Sequence, residues 1–199
     1  MRSSRPRDND THCSRCYMRR ESCICPILPT VRTRTEFLIL RHIWESERPS
    51  NTGRLAALAM PNALIIPCGG GDRIGLVPVD DTLLRASNTW LLWPDGADAQ
   101  PELPPPERII VLDATWQQAR RLYSRTPALQ AMTRLVLPVP DKSRKRLRDP
   151  HRADGMSTIE AVAAAVALLE GKEAAEPLER LYDEVVRRTI TLRWGMKSS

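Results

Sequence analysis

Apolar residues fall in short runs separated by longer amphipathic stretches, and this pattern predicts most of the elements. Residues 36 to 41, Glu-Phe-Leu-Ile-Leu-Arg, read as a strand ending near His42. A second strand at 63 to 66 is stopped by Pro67 and the glycines 69 to 71, and a third at 89 to 93 is stopped by Pro94. After a proline-rich connection at 101 to 106, residues 108 to 112 form the strongest buried strand, and a further one spans 134 to 137, closed by Pro138. Helices are predicted over 53 to 60, with Ser50, Asn51 and Thr52 as cap candidates, and from about Thr115 to Tyr123. Ser157-Thr-Ile-Glu160 is a capping box opening the alanine-rich helix 161 to 170, and a last helix is predicted from about Pro177 to Arg188. Short apolar strands alternating with helices predict an α/β fold, a parallel sheet flanked by helices. No internal repeat is visible.

No run approaches the ~20 apolar residues of a membrane span, and the basic, polar N-terminus lacks the apolar core of a signal peptide. The expectation is a cytoplasmic protein with no membrane association. The pattern sets no oligomeric state. At 199 residues the chain suits one main domain and a small appendage. The appendage is predicted at 1 to 35 and the main domain at 36 to 199.

Charge sharpens this picture. The net charge is +6, and it is concentrated: residues 1 to 35 carry eight Arg against three acids, and residues 134 to 152 carry seven Lys or Arg against two. Clustered positive charge suits a phosphate backbone, which makes Lys142, Arg144, Lys145, Arg146 and Arg148 candidate RNA contacts, although a basic run is also how a solvated loop reads. Nine aromatic residues are too few for a single-strand binder built on stacking platforms.

Four of the five cysteines, Cys13, Cys16, Cys23 and Cys25, crowd into one short segment. In a cytosolic chain four thiolates at such spacing favour a metal over disulfides, and a structural zinc is the reading preferred to an iron-sulfur cluster or to ordinary reduced thiols. Cys68 stands apart and is expected to pack as a small hydrophobe.

Two junctions carry candidate chemistry, because each ends an apolar segment in a polar group and then begins a helix, where open α/β sheets bind ligands. Asp113 follows the strand 108 to 112, and its plain role is to cap the next helix. Ser157, Thr158 and Glu160 form the second junction, with helix capping as the plain role again. The chain has no Gly-x-Gly-x-x-Gly after a strand and no Walker lysine motif, so neither a dinucleotide Rossmann site nor a P-loop is supported.

The unit Asp113-Ala-Thr-Trp116-Gln-Gln-Ala-Arg resembles the D-x-T-W signature of the DTW-domain family, the tRNA-uridine aminocarboxypropyltransferases. The Cys-x2-Cys and Cys-x-Cys start, the His42, Glu45, Asn51-Thr52 and Leu55 segment, Leu92-Trp93-Pro94, and Leu147-Arg148 followed by Ser157-Thr158-x-Glu160 resemble the family's other blocks in order. Departures at Ile43, at Trp93 and within 143 to 146 bear on the uridine and the RNA contact rather than on the donor chemistry.

The resemblance implies a SPOUT-like fold with a C-terminal trefoil knot, S-adenosylmethionine as co-substrate and tRNA as partner. It places Asp113, Thr115 and Trp116 in the catalytic set. It gives Leu92, Trp93, Pro94, Leu137, Pro138, Ser157, Thr158 and Glu160, with Asp113, to the co-substrate. Asp113, partly desolvated beside the Trp116 indole, would have the raised proton affinity suited to deprotonating uridine N3. A SPOUT-like RNA methyltransferase and a non-catalytic zinc-containing RNA-binding protein are the alternative readings. The first would share fold and co-substrate, and the second leaves the two junctions unexplained.

Overall fold

The computed structural model describes residues 11 to 71, 75 to 94, 104 to 141, 143 to 147 and 155 to 195. Strands β1 (Glu36–His42), β2 (Ala63–Gly71), β3 (Gly75–Val77), β4 (Thr89–Leu92), β5 (Arg108–Asp113) and β6 (Thr133–Leu135) form one sheet in the order β3-β2-β1-β5-β4-β6. Every pairing is parallel except the β2–β3 hairpin. The helices are α1 (Gly53–Ala59), α2 (Asp81–Leu84), α3 (Trp116–Arg125), α4 (Pro127–Gln130), α5 (Thr158–Glu170) and α6 (Lys172–Gly195). The α/β reading therefore holds. No helix among the described residues is long and apolar enough to cross a membrane.

Alternation along the central strands splits the interior into two layers. Phe37, Ile39, Ile109 and Val111 face a core built with α1, α5 and α6, and the cysteine segment joins it through Cys16, Met18 and Ile24. Leu38, Leu40, Leu91 and Ile110 face the other core, with Leu84 of α2, Ala119 of α3 and Leu129 of α4. Burial on both faces explains why β1 and β5 read as unbroken apolar runs.

Among the boundaries that differ from expectation, β6 ends at Leu135 rather than at residue 137. β2 runs through Pro67 to Gly71 instead of stopping at residue 66. Beyond β1 its outer side is paired by β3 only at Gly69 to Gly71, so the missing N–H of exposed Pro67 breaks no ladder bond there. Gly70, at φ +115°, turns the strand into the hairpin, and a Cβ on it would stand 2.2 Å from the Gly75 carbonyl oxygen. The last helix begins at Lys172, with Pro177 inside it, and runs past Arg188. Core packing by Ala175, Leu178, Leu181 and Tyr182 outweighs the single backbone bond that the proline removes. β3, α2 and α4, each three or four residues long, left no periodicity to read. Cys68 is fully buried in the second core, and burial pushes its thiol up to about 12, as suits an inert packing residue.

Candidate active site at the carboxyl edge of the sheet

β1 and β5 are neighbours at the centre of the sheet, yet the helices that follow them leave on opposite faces, α1 on one and α3 on the other. Such a divergence opens a crevice at the carboxyl ends of the two strands, the usual ligand position in open α/β sheets. β1 ends there in Arg41 and His42, and β5 ends in Asp113, in register with Arg41.

Asp113 is 4% exposed and both of its oxygens meet donors. Thr158 Oγ1 donates to Oδ1 at 2.6 Å and Asn51 Nδ2 donates to Oδ2 at 2.6 Å. One carboxylate thus ties β5 to the loop before α1 and to the first turn of α5, where a negative charge suits the helix dipole. Capping is not its role. Thr115 caps α3, its backbone N–H donating to Gln118 Oε1 at 2.9 Å and its hydroxyl accepting from Gln118 N. Asp113 also does not meet the Trp116 indole as expected. It turns to α1 and α5, while Trp116 packs with the opposite core, stacked on Trp93 at 5.2 Å. The reason is the pleat, which sends the last residue of β5 to the face opposite α3.

The surroundings of Asp113 explain several residues. Asn51 Oδ1 accepts from Arg54 N at 3.0 Å, so Asn51 caps α1 while its amide serves Asp113. Thr52 accepts from Ile159 N, at the start of α5, rather than capping α1. Gly53 lies against the carboxylate, and a Cβ there would come within 2.5 Å of Asp113 Oδ2. Asn51, Thr52 and Arg41 border the candidate site around Asp113, and the sequence shows them only as cap candidates within a family-like block and as a strand end. The signal that marks them is a bond to a residue more than sixty positions away or a register partner, and neither is visible in one dimension.

His42 is buried against Gly69, and its Nδ1 accepts from Trp44 N at 3.2 Å. Burial, and then the charge of Arg121, hold its pKa below the ordinary histidine range. Arg41 Nε is buried and has no hydrogen-bond partner among the described residues.

The remaining expected residues fall along the same edge. Leu92 pairs with Leu135, and Trp93 N donates to Leu135 O at 3.2 Å, so the segments following β4 and β6 run side by side. Pro94 and Pro138 are exposed there, Leu137 is partly buried, and Trp93 stacks on Tyr123 at 4.5 Å. Glu160 accepts from Ser157 N at 2.9 Å and pairs with Arg146 at 2.9 Å, both side chains being less than a tenth exposed.

The basic segment is partly spoken for. Arg146 also donates to Asp141 O, and Arg144 binds Asp183 at 2.8 Å and lies over the Tyr182 ring. Lys145 is exposed. Lys142 and Arg148 lie outside the described residues.

Cys13, Cys16, Cys23 and Cys25 present four Sγ atoms all within 4.8 Å of one another. The Cys13–Cys25 and Cys16–Cys23 separations are both 3.7 Å, far beyond a disulfide and close to the roughly 3.8 Å edge of a tetrahedron with ~2.3 Å zinc–sulfur bonds. The donor set fits a structural zinc. The segment is docked by Arg188, which donates to the Cys23 carbonyl, and by Arg54, stacked on the Tyr17 ring. An open cleft of about 720 Å³, lined by Asn88, Trp90, Glu107 and Thr133 among others, lies at the amino ends of β4, β5 and β6 and is remote from Asp113.

A family model described as the DTW domain matches residues 10 to 190. The chain is 27% identical over 177 residues to a protein of Macaca fascicularis named tRNA-uridine aminocarboxypropyltransferase 2, covering 83% of this chain and 58% of that one. It is 30% identical over 129 residues to tRNA-uridine aminocarboxypropyltransferase A of Arabidopsis thaliana, covering 55% and 49%. A Drosophila melanogaster relative, also named tRNA-uridine aminocarboxypropyltransferase 2, is 26% identical over 85% of this chain and 71% of its own length. The chain thus spans about half the length of the first two relatives. No solved structure matches it significantly.

Proposed function

The chain belongs to the DTW-domain family, and we propose that it transfers the 3-amino-3-carboxypropyl group of S-adenosylmethionine to N3 of a uridine in tRNA. The family match along nearly the whole chain carries this reading, and the relatives' names supply the reaction class. The position of Asp113 at the switch point supports the location.

The sulfonium of the donor activates the carbons bonded to it, and the one held in line with the nucleophile is the one that reacts. Asp113 takes or orients the uridine N3 proton, N3 bonds to the methionine-side carbon, and that carbon's bond to sulfur breaks, releasing methylthioadenosine. Each Asp113 oxygen accepts one bond in the structure, and a carboxylate has about four acceptor sites, so room for the proton remains. Thr115 fixes the start of α3 and with it Trp116, which shapes the site wall. The backbone from Leu92 to Pro94 and at Leu137 and Pro138 grips the adenosine, and Ser157, Thr158 and Glu160 border the amino-acid end. The four cysteines hold a structural zinc in the segment 1 to 35, and the catalytic domain is 36 to 199.

The same reading gives the C-terminal part the knotted SPOUT-like path. Exposed Lys145, with Lys142 and Arg148, contacts RNA phosphates, while Arg144 and Arg146 shape the segment that bears them. The test is mass spectrometry of tRNA nucleosides after incubation with protein and S-adenosylmethionine. An aminocarboxypropyluridine is expected. A methylated nucleoside, or no product together with no binding of the donor, would overturn the reading.

A further inference from the structure

Arg41 differs from arginines that are paired elsewhere among the described residues. Arg108 pairs with Glu36, Arg144 with Asp183 and Arg146 with Glu160, all at about hydrogen-bond distance. Arg41 forms no ion pair among the described residues, and its Nε is buried without an acceptor. A guanidinium set partly out of water and left unpaired is costly unless an anion completes it.

The position of Arg41 restricts which anion that is. It lies at the carboxyl edge of β1, one strand from its register partner Asp113, on the same side of the pleat. A phosphodiester brought to Arg41 would meet the Asp113 charge with nothing to offset it. An α-amino acid carries its own ammonium and arrives neutral. Direction agrees as well. If the adenosine is gripped at the ends of β4 and β6, its amino-acid tail points across β5 toward β1, three strand spacings or about 14 Å from β6.

We propose that Arg41 binds the carboxylate of the aminocarboxypropyl group and thereby selects a donor that carries one. This rests on the reading that the site takes S-adenosylmethionine. Arg41 is a binding residue that holds the transferred group from its far end, leaving the carbon beside sulfur free to face the base.

The experiment compares three probes on the full chain, measured by calorimetry: S-adenosylmethionine, decarboxylated S-adenosylmethionine and methylthioadenosine. Wild type is expected to prefer the first. Arg41→Gln should weaken S-adenosylmethionine by about 10- to 100-fold, the range for a charge-assisted bidentate contact, while the other two hold their affinity. Arg41→Lys, which keeps the charge and loses the fork, should fall between and serves if the glutamine variant does not fold. Equal weakening of all three probes would make Arg41 a structural residue and overturn the proposal. Unchanged binding of all three with a shallower salt dependence of tRNA binding would make it a phosphate contact, also overturning it. Wild type that binds none of the probes would instead sink the functional reading itself.

Discussion

Replacing Gly53 with alanine tests whether Asp113 is held rigidly at the switch point. The new Cβ would lie 2.5 Å from Asp113 Oδ2, 2.7 Å from Cγ and 3.1 Å from Oδ1, so either the carboxylate or α1 must move. The carboxylate has little freedom, because Asn51 and Thr158 hold its two oxygens at 2.6 Å each. Overpacking a buried site costs about 1 to 3 kcal/mol, and loosening one or two hydrogen bonds to a charged group adds about 1.5 to 3 kcal/mol each. Alanine returns at most about 1 kcal/mol in helix propensity, and less at the first position of a helix. With one bond loosened the net expectation is a loss of about 1.5 to 5 kcal/mol, or about 3 to 20 °C in melting temperature for a chain of this size. Differential scanning calorimetry measures it, with Gly71→Ala as a control because nothing lies within 4 Å of a Cβ there. Transfer activity should fall with stability. The decisive comparison is the double variant: in an Asp113→Ala background the added methyl meets empty space, so most of the Gly53→Ala cost should vanish. A Gly53→Ala protein that melts like wild type, or a cost unchanged in the Asp113→Ala background, would refute the contact.

Asp113→Asn should cost only about 1 to 2 kcal/mol, since its oxygen can take the Asn51 amide while its amide donates to the Thr158 hydroxyl. Single-turnover transfer should nevertheless drop by about 100- to 10,000-fold with donor affinity nearly kept, and near-normal transfer would remove Asp113 as the proton acceptor. Elemental analysis should find about one zinc per chain, and chelation should lower the melting temperature because Cys16, Met18 and Ile24 belong to the main core; reduced protein without metal would contradict this. Arg146→Ala should destabilise by about 3 to 5 kcal/mol in chemical denaturation by leaving Glu160 buried and unpaired, and a loss confined to RNA affinity would show that the pair is not structural. His42 has a depressed pKa in the fold, so below its unfolded value of about 6.5 protons favour the unfolded chain and stability falls with falling pH. Denaturant titrations at pH 7.5 and 5.5 should show a smaller drop for His42→Gln, and an equal drop would discount the histidine.

The parts whose signal is local are legible along the chain. Apolar runs marked β1, β4, β5 and β6, capping chemistry marked the start of α5, and four cysteines close in sequence marked a cluster whose sulfurs do meet. The D-x-T-W block pointed to the family and to Asp113. Tertiary structure decided what each polar residue does. Capping looked like Asp113's plain role, but Thr115 holds that place, and the sheet's pleat turns Asp113 away from Trp116 toward Asn51 and Thr158. Arg144 and Arg146 read as phosphate contacts, and the fold also gives them Asp183 and Glu160 as partners, brought near by α6 and α5. Arg41 looked like the polar end of a strand, and only the parallel register of β1 with β5 sets it beside Asp113. The physical reason is common to all three. A strand or a cap is fixed by neighbours within four or five positions, whereas the partner of a buried charge is chosen by whichever elements the folded sheet brings together.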